Sequence, residues 1–124
     1  MNLSSMLNAR KKQQKPVRVG LIGAGKFGSM ILSQARHIEG LIISAVADLD
    51  VEKAKESFNR VGWDTSNCFA TSINDAMVSG RTWITENAAD VFKIPEIECV
   101  IEATGDPLFG VRHALMAIEN AKHV

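Results

Sequence analysis

Short apolar runs alternate along the chain with segments in which apolar residues recur every three or four positions. The apolar runs cover residues 17–22, 41–47 and 99–103, and a shorter one covers residues 68–71. Runs of this length without polar alternation predict strands that are covered on both faces, as in a parallel sheet.

The segments between the runs predict helices. Their apolar positions at helical spacing are Phe27, Met30, Ile31, Ala35 and Ile38; Val51, Ala54 and Phe58; Ile73 and Met77; and Leu108, Val111, Leu115 and Ile118. Three of these helices are expected to end at Gly40, near Gly62 and at Gly80, and Pro107 opens the last one. Thr85 is expected to cap a further short helix. Because strands alternate with helices, the sequence predicts an α/β doubly wound parallel sheet.

Composition narrows the possible functions. The formal net charge is zero, which argues against a nucleic-acid partner. No apolar run approaches the length of a membrane span and no signal peptide is apparent, so we expect a cytoplasmic protein without a membrane partner. Cys68 and Cys99 lack the spacing of metal ligands. We therefore expect reduced structural thiols and no metal site.

A glycine-rich segment directly follows the first predicted strand and opens a helix. It reads Gly23-Ala24-Gly25-Lys26-Phe27-Gly28, which matches G-x-G-x-x-G. In this setting the pattern predicts a dinucleotide-binding turn. Gly23 permits the tight turn, Gly25 lets the pyrophosphate approach the backbone, and Gly28 lets the helix pack closely. Lys26 and Phe27 are expected to face the cofactor, with solvent as the alternative for Lys26, and a plain glycine turn without ligand is the alternative for the whole segment.

Asp48 lies at the end of the second predicted strand, twenty residues after Gly28. A carboxylate at this point accepts hydrogen bonds from the adenosine ribose hydroxyls and repels a 2′-phosphate. No arginine follows it, so the sequence favours NAD over NADP. The alternative is a cap for the helix near Val51, although Asp50 is better placed for that role.

The segment after the predicted strand 99–103 is expected to border the other half of the cofactor. If this strand lies beside the first, Ala103, Thr104 and Gly105 adjoin the nicotinamide; the alternative is an ordinary strand-to-helix connection capped by Asp106. Glu102 is unusual in such an apolar run. We expect it either to face the crevice or to pair with a basic residue.

The other candidates for chemistry are weaker. His37 and His113 have no ligand partner at suitable spacing, and Trp63 and Trp83 are expected to pack. We see no convincing general acid or base, so the catalytic residues stay unknown.

Together, residues 16–28, 47–50 and 100–107 resemble the N-terminal domain of homoserine dehydrogenase-like oxidoreductases, in particular the branch with a C-terminal SAF domain, which includes 1-deoxy-D-xylulose 5-phosphate reductoisomerase-like enzymes. The resemblance implies a cofactor domain followed by a substrate and dimerisation domain that supplies the catalytic side chains. The reductoisomerase-like members need a metal and NADPH, whereas this chain has Asp48 where an arginine would suit NADPH better.

We therefore expect two segments in this chain. Residues 1–16 carry four basic side chains and no acidic one, and are expected to be a loosely ordered tail or, alternatively, an interaction or targeting arm. Residues 17–124 are expected to be an NAD(P)-binding domain for hydride transfer to a small substrate, with a non-catalytic NAD-sensing module as the alternative. Residues 122–124 look like the start of another strand, so we expect a C-terminally incomplete domain of a longer enzyme.

Overall fold

The computed structural model describes residues 2–124. In chain order the elements are α1 (Leu3–Lys12), β1 (Val17–Ile22), α2 (Lys26–Ala35), β2 (Leu41–Ala47), α3 (Val51–Arg60), α4 (Ile73–Ser79), β3 (Trp83–Thr85), α5 (Ala88–Phe92), β4 (Cys99–Glu102) and α6 (Pro107–Glu119). The strands form one sheet in the order β3-β2-β1-β4, and all of its pairings are parallel. The predicted α/β class is thereby confirmed.

The register of the sheet brings the carboxyl ends of three strands to one edge. Ile22 at the end of β1 is paired with Ala47 on one side and with Glu102 on the other. The pairing continues beyond the strands, because Gly23 N donates to Ala47 O at 2.8 Å and Ala103 N donates to Ile22 O at 2.8 Å. The turns after β1, β2 and β4 therefore start side by side.

Apolar side chains cover the sheet on both faces, as the unalternating runs predict. Val19 and Leu21 of β1 belong to a cluster that includes Leu32 of α2 and Phe58 of α3. Ile22 belongs to a second cluster with helix α5 and with Ala117 of α6. The helices thus pack in two layers, and the sheet edge that carries the turns stays open.

The predicted third strand at residues 68–71 is wrong. This segment makes a single bridge, between Phe69 and Thr82, and the strand lies later, at Trp83–Thr85. Thr82 precedes it and donates from Oγ1 to Ile43 O at 2.8 Å, which fixes the segment against β2. The capping prediction for Thr85 is wrong as well, because the side chain of Asn87 caps α5 by accepting from Ala89 N.

The predicted apolar faces of two helices are buried only in part or not at all. In α2, Ala35 is buried and Ile31 packs against the core as predicted, whereas Phe27 and Met30 are exposed. In α6, the whole predicted stripe is exposed: Leu108 62%, Val111 61%, Leu115 55% and Ile118 67%. The buried residues of α6 are His113 and Ala117. The small side chain of Ala117 on this face lets the helix lie close to the sheet.

The basic segment at the N-terminus forms helix α1 instead of a loose tail. Arg10 pairs with Glu98 at 2.7 Å and connects the helix to the domain, and a more exposed pair joins Lys11 to Glu39 at 2.7 Å. A Cβ added at Gly40 would collide with the carbonyl of Leu7, so the helix also lies directly on this turn. Sequence pattern missed the contact because its partners are far apart along the chain.

The last residues behave as the predicted strand start. His123 bridges Cys99 in parallel orientation, Val100 N donates to His123 O at 2.8 Å, and His123 N donates to Glu98 O at 3.0 Å. Lys122 is buried, and its Nζ donates to Ile94 O at 2.6 Å and Ile97 O at 2.8 Å. Burial lowers the pKa of this ammonium group.

The described residues do not meet the requirements of a disulfide, a metal site or a membrane span. Cys68 and Cys99 are free, and burial raises the pKa of both. Between residues 2 and 124, no group of three or more His, Cys, Asp or Glu side chains is arranged to hold a metal ion. In the same part of the chain, no helix has the length and apolar character needed to cross a membrane.

Candidate functional site

A cleft of about 680 Å³, the large cleft, lies at the sheet edge where β1, β2 and β4 end. Its volume suits a small organic ligand. The lining comes from the turns after these strands, from the start of α5 and from α6. It includes Gly23, Gly25, Lys26, Phe27, Asp48, Ala103, Thr104, Gly105, Phe109 and His113. The structure therefore brings together the three segments that sequence analysis selected separately.

The three glycines of the turn after β1 have different surroundings. Gly23 has a φ of +92°, and a Cβ there would lie 3.0 Å from the carbonyl of Ala103. A Cβ at Gly28 would collide with the carbonyl oxygen of Gly23, so α2 lies directly against the turn. Around Gly25, by contrast, none of the described atoms lies within 4 Å of an added Cβ beyond its own neighbours in the chain. The turn is thus tight where it meets the protein and open at Gly25.

Asp48 is held by two backbone amides. Ala24 N donates to its Oδ2 at 2.8 Å and Asp50 N donates to its Oδ1 at 2.9 Å. Each carboxylate oxygen can accept a further hydrogen bond. Asp48 lines the cleft and is fixed relative to the glycine turn. Asp50 caps α3 by accepting from Lys53 N at 3.0 Å, which confirms that cap assignment.

A smaller cleft of about 630 Å³ adjoins the first on the other side of Asp48. It is lined by Ala24, Gly25, Lys26, Ser29, Asp48, Lys53, Ser57 and Arg60. Arg60 Nη2 donates to Ser29 Oγ at 3.0 Å and to Ser57 Oγ at 3.2 Å, which links α3 to α2. The sequence has no basic residue immediately after Asp48, and the prediction from that position missed Lys53 and Arg60. Their signal was the spacing of Lys53 and Arg60, two turns apart on one face of α3.

The turn after β4 is open to the large cleft. Gly105 has a φ of +75°, and nothing in the described chain beyond its neighbours is within 4 Å of a Cβ built there. Asp106 caps α6 by accepting from Leu108 N at 2.9 Å and Phe109 N at 3.2 Å. Thr104 Oγ1 accepts from Asp106 N at 3.3 Å, so its hydroxyl proton remains available.

Glu102 is paired with His113, a partner that sequence spacing did not reveal. His113 Nδ1 lies 3.1 Å from Glu102 Oε1, and Thr104 N donates to the same oxygen at 3.3 Å. Burial favours the protonated acid, but the hydrogen bonds from Thr104 and His113 outweigh it and hold the pKa of Glu102 below its usual range. The alternative in which Glu102 pairs with a basic group is thus confirmed.

Comparison with known proteins places the fold. No family model matches the sequence. A homoserine dehydrogenase of Pseudomonas aeruginosa is 31% identical over 110 residues, which make up 89% of this chain and 22% of that protein. The chain therefore spans about a fifth of this curated relative.

Two solved structures share the architecture. Myo-inositol dehydrogenase from Lactobacillus casei, in complex with NAD(H) and myo-inositol, superimposes with a TM-score of 0.63 at 18% identity, over 86% of this chain and 26% of that one. Levoglucosan dehydrogenase, in complex with NADH and L-sorbose, gives 0.58 at 23% identity, over 86% of this chain and 25% of that one. These likenesses show a fold of the Rossmann type.

Proposed function

We propose that this chain is the NAD(P)-binding domain of an oxidoreductase that resembles homoserine dehydrogenase and transfers hydride to or from a small substrate. The observation that carries the proposal is the glycine turn. Backbone atoms lie close to Gly23 and Gly28, whereas the space beside Gly25 is open. A pyrophosphate needs such an open space to approach the backbone of the turn. The start of α2 adds unpaired N–H groups and a partial positive charge at the same place.

Each half of the cofactor has its own residues in this proposal. Gly23, Ala24, Gly25, Lys26, Phe27 and Gly28 hold the pyrophosphate, Asp48 binds the adenosine ribose, and Ala103, Thr104 and Gly105 border the nicotinamide. Bound there, the cofactor supplies the hydride chemistry, and this chain orients it. The substrate and the catalytic side chains belong to parts of the enzyme beyond these residues.

The similar proteins support the proposal by what they bind. The relative at 31% identity is a homoserine dehydrogenase, and the two structural neighbours are dehydrogenases in complex with NAD(H) or NADH. A finer placement, in the branch that carries a SAF domain, rests on the sequence resemblance of residues 16–28, 47–50 and 100–107, of which the strand that ends in Glu102-Ala103-Thr104-Gly105 is the more particular part.

Asp48 makes NAD the favoured cofactor, because its carboxylate suits two ribose hydroxyls and repels a 2′-phosphate. The basic side chains of the smaller cleft reduce this repulsion. Lys53 and Arg60 line the smaller cleft together with Asp48. We therefore propose a moderate preference for NAD over NADP.

The test is titration of the chain with NADH and with NADPH by isothermal calorimetry. We expect tighter binding of NADH. Asp48→Ala removes the ribose acceptor and is expected to weaken NADH binding about ten- to hundredfold, with a narrower preference over NADPH. Asp50→Ala is the matched control, because it removes a neighbouring carboxylate whose hydrogen bond is spent on the cap of α3.

Three outcomes would contradict the proposal. Wild-type protein that binds neither dinucleotide would overturn it entirely. An unchanged NADH affinity in Asp48→Ala would overturn the assignment of the ribose site. Tight binding of S-adenosylmethionine alone would indicate a methyltransferase-type nucleotide site instead.

A further inference from the structure

His113 is the buried polar side chain of α6 at the wall of the large cleft. It is 8% exposed and lies on the face of the helix that packs toward β4 and α5. Its ring stacks on Phe109, with centroids 6.0 Å apart and an interplanar angle of 25°, and both rings line the cleft. An imidazole on a packed helix face needs polar partners at both nitrogens.

One of the two nitrogens has its partner inside the protein. Glu102 is the acceptor for Nδ1, and the lowered pKa of this carboxyl keeps it ionised and acceptor-only near neutrality. Nδ1 therefore carries the hydrogen in the neutral ring, which leaves Nε2 as an acceptor.

The other nitrogen, Nε2, is not sealed inside the protein. In residues 2–124, Nδ1 makes the hydrogen bond of this ring, and no buried side-chain nitrogen or oxygen atom lacks a partner. Nε2 is therefore reached by solvent, and the cleft is the open space that His113 borders. A fixed acceptor at the wall of this cleft suits a ligand group that carries a hydrogen-bond donor.

We propose that His113, oriented by Glu102, accepts a hydrogen bond through Nε2 from the carboxamide N–H of the nicotinamide ring. The inference rests on the proposed function, because it assigns this part of the cleft, next to Thr104 and Gly105, to the nicotinamide half. The carboxamide is the donor-bearing polar group on that ring. Glu102 is a positioning residue, since it acts on the cofactor only through the tautomer and orientation of His113.

The test compares NAD⁺ with ADP-ribose, which lacks the nicotinamide ring. We expect His113→Phe to weaken NAD⁺ binding about three- to tenfold and to leave ADP-ribose binding within about twofold, as measured by calorimetry. His113→Gln is the matched variant, because its amide restores a polar group near the position of Nε2, and it is expected to recover part of the loss. Glu102→Gln, which no longer fixes the tautomer, is expected to fall between His113→Phe and wild type.

Each result has a definite meaning. Equal losses for NAD⁺ and ADP-ribose in His113→Phe would show a structural role and overturn the inference, as would no loss for either ligand. Wild-type protein that binds neither ligand would instead overturn the proposed function.

A second measurement avoids variants that fail to fold. The 3-acetylpyridine analogue of NAD⁺ replaces the carboxamide by a methyl ketone and therefore has no N–H to donate. Wild-type protein is expected to bind this analogue about three- to tenfold more weakly than NAD⁺. Equal affinity for the two would overturn the inference without any substitution in the chain.

Discussion

Gly25 and Gly28 belong to one motif, yet the structure gives them opposite surroundings. A Cβ at Gly28 meets the carbonyl of Gly23, which belongs to the backbone and cannot move aside cheaply. A Cβ at Gly25 meets no described atom within 4 Å outside its own neighbours. One glycine is thus required by the fold, and the other by whatever binds there.

This difference gives a paired prediction. Gly28→Ala is expected to lower the free energy of unfolding by about 1–3 kcal/mol, because the helix and the turn must move apart. Gly25→Ala is expected to cost about 1 kcal/mol or less, the weaker helix cap, and yet to reduce NADH affinity strongly. Urea denaturation and calorimetry measure the two effects, and equal destabilisation by both substitutions would contradict the assignment.

At the residue scale, the sequence predicted what depends on local order and missed what depends on packing. The glycine turn after β1 and Asp48 after β2 lie at the strand ends where the sequence puts them, and Asp50 caps α3 as predicted. The contact between Glu102 and His113 joins a strand to the second turn of the next helix. Its existence depends on how α6 lies on the sheet, and no spacing rule supplies that angle.

At the element scale, α6 shows why apolar periodicity alone does not identify the buried face. Its regular stripe points outward, and the packed face carries Ala117 and His113 instead. The strand prediction at residues 68–71 failed for a related reason. The strand at the edge of the sheet next to β2 is the segment that lies against β2. Thr82 and β3 make those contacts.

The orientation of α6 is testable by one type of substitution at two sites. Ile118→Ala is expected to change the free energy of unfolding by no more than about 0.5 kcal/mol, because Ile118 is 67% exposed. Ile97→Ala, in the core at 1% exposure, is the matched control and is expected to cost about 2–5 kcal/mol. Similar costs in urea denaturation would show that α6 is turned the other way.

Helix α1 is expected to make the stability of the domain sensitive to acid. The hydrogen bond from Arg10 lowers the pKa of Glu98 below its ordinary value of 4.5, against the effect of burial. The stabilisation from this pair is therefore present above that value, and it is lost as the pH falls through the lowered pKa. The protection of the α1 amides against hydrogen exchange, relative to an unfolded chain at the same pH, should fall as the pH decreases through this pKa.

Glu98→Gln is expected to remove this acid-dependent step and to leave α1 less protected than in wild type at pH values above the pKa of Glu98. Glu39→Gln is the control, because its pair with Lys11 is solvent-exposed and contributes little. An α1 that exchanges in Glu98→Gln as it does in wild type would show that other contacts hold the helix.

At the scale of the whole molecule, the cleft joins segments from most of the chain, so a bound dinucleotide is expected to stabilise all of it. With NADH at a hundredfold excess over its Kd, the free energy of unfolding should rise by about 2.7 kcal/mol, since the ligand binds the folded state alone. Thermal unfolding with increasing NADH measures this rise. A transition temperature that does not respond to saturating NADH would contradict binding at the folded cleft.

The position of β1 between β2 and β4 also has a consequence for protein synthesis. Residues 17–22 are translated well before residues 99–102, which form their second neighbour in the sheet. Until then the nascent chain carries a free strand edge beside its glycine turn, which is the kind of surface that chaperones shield. The cradle for the cofactor is consequently completed only when β4 has been translated, and a nascent chain arrested after α5 should be unable to capture a dinucleotide.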